Sequence, residues 1–236
     1  MIYNGYISKL ILFPVALLLS FNLTAQDQQK YNSIDPGIFQ DNTHHWYDIY
    51  EKERVIQPRP DQKRYKSTEL ANIADNILLF QKANGGWPKN YDIFAILTTD
   101  QKDSLLKDKT VLNTTFDNRT TYSHIECLAN VYSVIKDEKY KFAVLKGLEF
   151  ILSAQYDNGG WPQYYPLEKG YSRHITFNDD AMIGVLSVLK DIVDHNPAYT
   201  FTDAKKYQKI KAAYTKGIDC IVKTQIKEKG DRKSVV

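Results

Sequence analysis

From Ser67 onward the chain alternates between apolar residues at helical spacing and loops of glycine, proline and aromatic residues. Ser67-Thr68-Glu69 opens a stretch with apolar residues at Leu70, Ile73, Ala74, Ile77, Leu78 and Phe80, close to the period of a helix with one buried face. Asn84-Gly85-Gly86-Trp87-Pro88 stops it, because two glycines and a proline do not continue a helix. The device then returns. Lys146-Gly147-Leu148-Glu149-Phe150-Ile151-Leu152-Ser153-Ala154-Gln155 leads into Tyr156-Asp157-Asn158-Gly159-Gly160-Trp161-Pro162. Gln81 and Gln155 stand at the same distance before Trp87 and Trp161, so the two copies share one register. A third copy, Lys216 to Gln225, follows the second after a similar interval and has no Gly-Gly-Trp-Pro behind it.

Helical patterns at Thr121–Ile135 and Asp180–Asp194 fill the intervals. Each repeat therefore reads as a helical hairpin that cannot bury its apolar face alone, so neighbouring hairpins stack. No segment shows sustained two-residue alternation or a hairpin-turn signal. The expectation is an all-α array over residues 66–236, curled into an α/α toroid with the Gly-Gly-Trp-Pro loops at one end. The third repeat stops after its first helix, which predicts a domain truncated at its C-terminal side.

Upstream of Lys66 the chain follows different rules. Residues 1–25 carry a single charge, Lys9, before the apolar run Leu10–Leu19, and end in Ala25 ahead of a polar stretch. This is the pattern of a cleaved signal peptide, and it places the protein in a secreted or periplasmic location. No later stretch is long and apolar enough to cross a bilayer, so no stable membrane insertion is expected after cleavage. Residues 26–65, with Pro36, Pro58 and Pro60, read as an N-terminal arm whose His44-His45-Trp46-Tyr47 can dock on the core.

Composition narrows the function classes. Thirty-one Lys and Arg against 28 Asp and Glu leave a net charge of +3, too balanced for a nucleic-acid footprint. The two cysteines, Cys127 and Cys220, fall in helical patterns, where buried free thiols are the commoner outcome; a bridge between them stays open. Phosphate-cradling glycine motifs and metal-spaced histidine clusters are missing.

Three segments can carry chemistry. Thr114-Thr115-Phe116-Asp117-Asn118-Arg119-Thr120-Thr121-Tyr122 and Arg173-His174-Ile175-Thr176-Phe177-Asn178-Asp179-Asp180 each stand at the mouth of a helix, where such residues also serve as caps. Asp117 and Asp179 lie in successive repeats and are expected at corresponding points of them. Paired carboxylates beside an asparagine amide are hard oxygen donors, a set that suits Ca2+, assembled across elements and completed by a ligand. The third segment is the pair of Gly-Gly-Trp-Pro loops, in which Trp161 and Tyr164 serve either packing or sugar stacking.

With these motifs in order, Asn84–Tyr91, Thr115–Thr121, Gln155–Pro166 and His174–Met182, the chain resembles the family 10 pectate lyases. The resemblance implies an α/α toroid that binds pectin or polygalacturonate and cleaves it by calcium-dependent β-elimination. In that scheme calcium bridges enzyme aspartates and a uronate carboxylate, and an arginine removes the C5 proton. It implies that Asp117 and Asp179 hold calcium and orient substrate, and that Asn118, Trp161, Tyr164, Arg173, His174 and Asn178 line the subsites. The place of the family's catalytic arginine falls beyond residue 236, and neither Arg119 nor Arg173 matches it, so weak or no turnover is expected of this chain alone. Two other readings accommodate the same residues. One is a non-catalytic uronate-binding remnant. The other is a triterpene-cyclase-like α/α barrel, since Gln-x-x-x-Gly-Gly-Trp is similar to the Gln-Trp repeats of those enzymes.

Overall fold

The computed structural model describes residues 31–49, 54–228 and 231–234, so the proposed signal segment lies outside the described residues. Seven α-helices are present among them. They are α1 (Gln40–Tyr47), α2 (Leu70–Phe80), α3 (Thr99–Lys107), α4 (Tyr122–Ile135), α5 (Glu138–Ala154), α6 (Ala181–Val193) and α7 (Ala204–Thr224). A short antiparallel ribbon follows, β1 (Gln225–Glu228) paired with β2 (Asp231–Ser234). The fold is all-helical as expected apart from this ribbon, whose strands are too short to leave a legible alternation in the sequence. No described helix is long and apolar enough to cross a membrane.

The helices form two rows. Hairpins α4–α5 and α6–α7 stack so that α4 lies between α2 and α6, while α5 touches α2 and α7. The helices that carry the repeat signature, α2, α5 and α7, make one row and α4 and α6 the other. Their apolar faces meet in a core that includes Ile77, Phe80, Leu128, Val144, Ile151 and Leu189, each at most 1% exposed.

What joins one repeat to the next is a clasp built from the repeated motif. Each signature helix ends at a glutamine in extended conformation: Gln81, Gln155 and Gln225 all have φ between −61° and −71°. Gln81 Nε2 donates to the Gly85 carbonyl at 2.9 Å and to the Ala143 carbonyl of α5 at 2.9 Å. Gln155 does the same one repeat later, to Gly159 at 3.0 Å and to Ala213 of α7 at 2.8 Å. One amide thus shapes its own loop and fastens it to the next helix.

The glycines make the approach possible. At Gly85, φ is +92° and a Cβ would sit 2.3 Å from the Lys146 carbonyl oxygen; at Gly159, φ is +94° and the distance to the Lys216 oxygen would be 2.1 Å. The Lys-Gly pair on the receiving helix completes the fit. A Cβ on Gly147 would crowd Ile125 and the Trp87 ring, and one on Gly217 would crowd Leu186 and the Trp161 ring. Both indoles are fully buried and donate from Nε1 at 2.8 Å, Trp87 to Ile77 and Trp161 to Ile151. A buried indole is stable only with its N–H partnered, and a carbonyl near the end of the preceding helix supplies that partner.

The arm segment reaches this framework through α1. Trp46 is fully buried and bonds the Ile56 carbonyl at 3.1 Å, and Tyr47 donates to buried Asp92 at 3.2 Å. Asp92 is further held by Arg64 at 2.7 Å. His44 and His45 face Asp48 and Asp41 on their own helix, in ordinary surface pairs. Cys127 and Cys220 are both buried and unpaired, in agreement with the favoured reading.

Two substitutions test the clasp. Gly85→Ala meets both a positive φ and a backbone oxygen, and is expected to cost more than about 3 kcal/mol. Gly170 has φ +92° and ψ −156°, a conformation that strains any side chain, but nothing lies within 4 Å of a Cβ, so Gly170→Ala is expected to cost about 1–3 kcal/mol, less than Gly85→Ala. Urea unfolding of the two variants measures the difference.

Candidate functional site

The two Asp-bearing segments run over the Gly-Gly-Trp-Pro loops. Thr115 N–H donates to the Trp87 carbonyl at 3.0 Å, and Thr176 N–H donates to the Trp161 carbonyl at 3.1 Å. This bond defines which residues correspond between repeats, and it corrects the sequence register. With Thr115 matched to Thr176, Asp117 corresponds to Asn178 and Asn118 to Asp179, Asp and Asn having exchanged places. The backbone agrees: Asn118 and Arg119 have φ of 50° and 57°, and Asp179 and Asp180 have 53° and 57°. Left-handed backbone at non-glycine residues costs energy and persists only where the surroundings enforce it.

Neither segment is a helix cap. Thr121 and Asp180 occupy the N-cap positions of α4 and α6, and no side chain at either position bonds the helix. The acidic groups are therefore free for other work.

Asp117 and Asp179 are brought together. Asp117 is only 3% exposed, and Lys89 Nζ donates to its Oδ2 at 2.5 Å. Its other oxygen, Oδ1, is buried with no hydrogen bond of its own, while Gln163 and the Asp179 carboxyl adjoin the group. Burial works to raise the Asp117 pKa, but the bond and charge of Lys89, helped by Gln163, bring it below the ordinary carboxylate value. Asp179 moves the other way: partial burial and the Asp117 carboxylate raise its pKa, and an Asn178 amide at 2.6 Å only partly offsets this.

Lys89 and Gln163 also join this cluster, and the sequence motifs do not single them out. Both directly follow Gly-Gly-Trp-Pro, so the repeat itself places them, and that shared position was the available signal. Burial opposes the Lys89 charge, but Asp117 and Tyr164 outweigh it and hold the ammonium charged. Tyr164, half-buried, sets its ring 5.6 Å from the Lys89 ammonium and joins the same cluster.

The remaining expected residues divide. Asn178 lies on the acidic pair. Asn118 is only 7% exposed and is spent on structure: its amide donates to Asn90 at 3.1 Å, and its carbonyl accepts from Asn42 of α1 at 2.5 Å. Asn42 Oδ1 also accepts from the Asn90 N–H at 2.7 Å, so one arm residue ties the Lys89 and Asp117 loops together. Trp161, with no exposure and its N–H used, packs the clasp; a sugar-stacking role is ruled out by its burial. Arg173 and His174 are exposed and line a groove of about 730 Å3 together with Phe177 and Thr224 at the end of α7. Arg119 is paired with Asp180 at 2.9 Å.

No group of three or more His, Cys, Asp or Glu among the described residues is placed to hold a metal ion by itself. The pair still suits a hard cation, because an orphaned buried carboxylate oxygen faces a second carboxylate whose charge it repels. Calcium takes six to eight oxygens, so most ligands would come from water and a bound anion.

These features define a helical-repeat protein with an acidic centre at the loop end. The chain belongs to the pectic acid lyase family, whose model matches residues 81–235. A family 10 polysaccharide lyase from Cellvibrio cellulosa superposes with a TM-score of 0.58 at 36% identity, over 69% of this chain and 48% of that one. An aspartate-to-alanine mutant of that lyase, solved in complex with trigalacturonic acid, matches at 35% identity with the same TM-score and coverage. The chain thus spans about half the length of these solved relatives. No curated protein sequence matches it significantly.

The electrostatic reading has a direct consequence. Since the folded-state pKa of Asp179 is raised, the folded chain binds more protons than the unfolded chain above the ordinary aspartate value, and stability falls as pH rises through that interval. Asp179→Asn removes the penalty, so its melting temperature should exceed that of the wild type at pH 7. The gain should vanish at a pH near 3, where Asp179 is protonated in both states. Thermal unfolding at the two pH values measures it.

Proposed function

We propose that this chain carries the acidic centre of a calcium-dependent pectate lyase that acts on polygalacturonate by β-elimination. The observation that carries the proposal is the Asp117–Asp179 pair, in which Asp117 is buried and bonded by Lys89 while Asp179 is exposed, and which the helix caps do not use. Family membership and the trigalacturonic acid complex of the relative support an anionic sugar as the ligand. The stacked hairpins and the family match support an α/α toroid. Export to the periplasm or beyond is proposed on Lys9 and Leu10–Leu19, which lie outside the described residues.

Bound calcium would neutralise the carboxylates and draw charge from the uronate carboxylate, which acidifies the sugar proton next to it. The chain's own residues position the reactants. Asp117 and Asp179 supply the acidic oxygens, Asn178 orients Asp179, and Tyr164 offers a half-buried aromatic face beside Lys89. The proton acceptor is assigned to neither arginine of these segments: Arg119 is tied to Asp180, and Arg173 lines the groove beside Phe177. The uronate-binding remnant shares this ligand but lacks turnover. The cyclase-like reading rested on the Gln and Gly-Gly-Trp signature, which the inter-repeat clasp accounts for.

The test is carried out on this chain and on a form extended to the relatives' full length. Both should bind polygalacturonate in calcium and lose it in chelator or on Asp117→Asn. The extended form should raise ultraviolet absorbance as the conjugated double bond appears. Cleavage that yields only saturated products would replace elimination with hydrolysis.

A further inference from the structure

The residue after each Gly-Gly-Trp-Pro is lysine in the first loop and glutamine in the second, and both side chains converge on Asp117. The backbone clasp is the same in both repeats, so the fold accepts a neutral residue at this position. The charge of Lys89 therefore answers a need of the acidic centre and not of the scaffold.

The charges at that centre can be counted. Asp117 and Asp179 bring two negative charges, and Lys89 removes one through its bond to Oδ2. Arg119 and Asp180 cancel each other at 2.9 Å. Asp41 of α1 acts on Asp179 from farther off and faces His45 at 3.7 Å. The paired carboxylates and Lys89 together carry one net negative charge, which matches a doubly charged cation poorly. A uronate carboxylate adds the second, and its arrival also gives the ammonium another anion to contact.

We propose that Lys89 is a positioning residue that couples the two ligands: its ammonium holds Asp117 in the free protein and makes calcium loading depend on an anionic sugar. This deepens the calcium–uronate reading above and rests on it. Calcium binds weakly to the free chain because Lys89 occupies one Asp117 oxygen and repels the ion. Trigalacturonic acid relieves both effects. By linkage, calcium tightens the sugar by the same factor that the sugar tightens calcium.

Calorimetric titration of calcium, alone and with saturating trigalacturonic acid, tests the coupling without measuring turnover. In the wild type the sugar is expected to tighten calcium at least about tenfold. Lys89→Gln, the residue that the second loop carries, should bind calcium alone at least about tenfold more tightly than the wild type, with a smaller response to the sugar. Lys89→Arg keeps the charge and should keep the coupling. The proposal is overturned if Lys89→Gln binds calcium alone no better than the wild type, or if Lys89→Arg behaves like Lys89→Gln. Melting curves establish that each variant is folded, and Lys89→Met serves as a second neutral variant should the glutamine form fail. Asp117→Asn separates the two levels. If calcium binding survives that change, or if the wild type binds no calcium with or without the sugar, the calcium reading itself fails and the coupling with it.

Discussion

A single side-chain amide bridging two backbone carbonyls governs how this protein is assembled. Gln81 and Gln155 each close their own loop and bond the next signature helix, and without that bond the Gly-Gly-Trp-Pro loops would have no defined position over the neighbouring hairpin. Apolar burial supplies most of the free energy of stacking, but burial is non-directional and tolerates sliding. The amide bonds, the two indole N–H bonds and the glycine contacts set the register in which stacking occurs. A buried donor left unpaired costs about 1–3 kcal/mol, so a shifted register is penalised at several groups at once.

The acidic centre depends on that register. Thr115 and Thr176 hang from the carbonyls of the clasp tryptophans, so the segments bearing Asp117 and Asp179 are carried by the same framework. The left-handed backbone at Asn118–Arg119 and Asp179–Asp180 is held in place by it as well. Asn42 adds a second tie from α1, linking the Lys89 and Asp117 loops through three asparagines. Like charges are thereby kept side by side in a partly buried place, an arrangement that costs stability and is understandable if a cation and an anionic ligand complete it.

Such a design separates scaffold residues from site residues at adjacent positions. Within Trp87-Pro88-Lys89, the tryptophan is fully buried and the lysine reaches the acidic centre; in Trp161-Pro162-Gln163 the same division holds. Membership of the pectic acid lyase family and the overlap with the Cellvibrio cellulosa lyase agree with this helical-repeat framework.

Much of this was legible in the residues. The period of the signature, the helices behind it, the burial of the cysteines and the choice of Asp117 and Asp179 as an acidic pair all follow from spacing and side-chain chemistry. So does the family resemblance, because its motifs are contiguous stretches. What the chain alone could not give were facts that depend on which backbone groups meet across repeats. The true register between repeats appears only when the threonine N–H bonds are seen, since Asp-Asn and Asn-Asp read alike as acidic text. Asn118 and Trp161 look like binding residues until their polar groups are found already paired inside the core. Lys89 looks like a surface charge until Asp117 is placed 2.5 Å away. Sequence determines which groups are available and at what period. Only tertiary structure decides which of them are spent on one another and which face outward, because that outcome depends on contacts between residues distant along the chain.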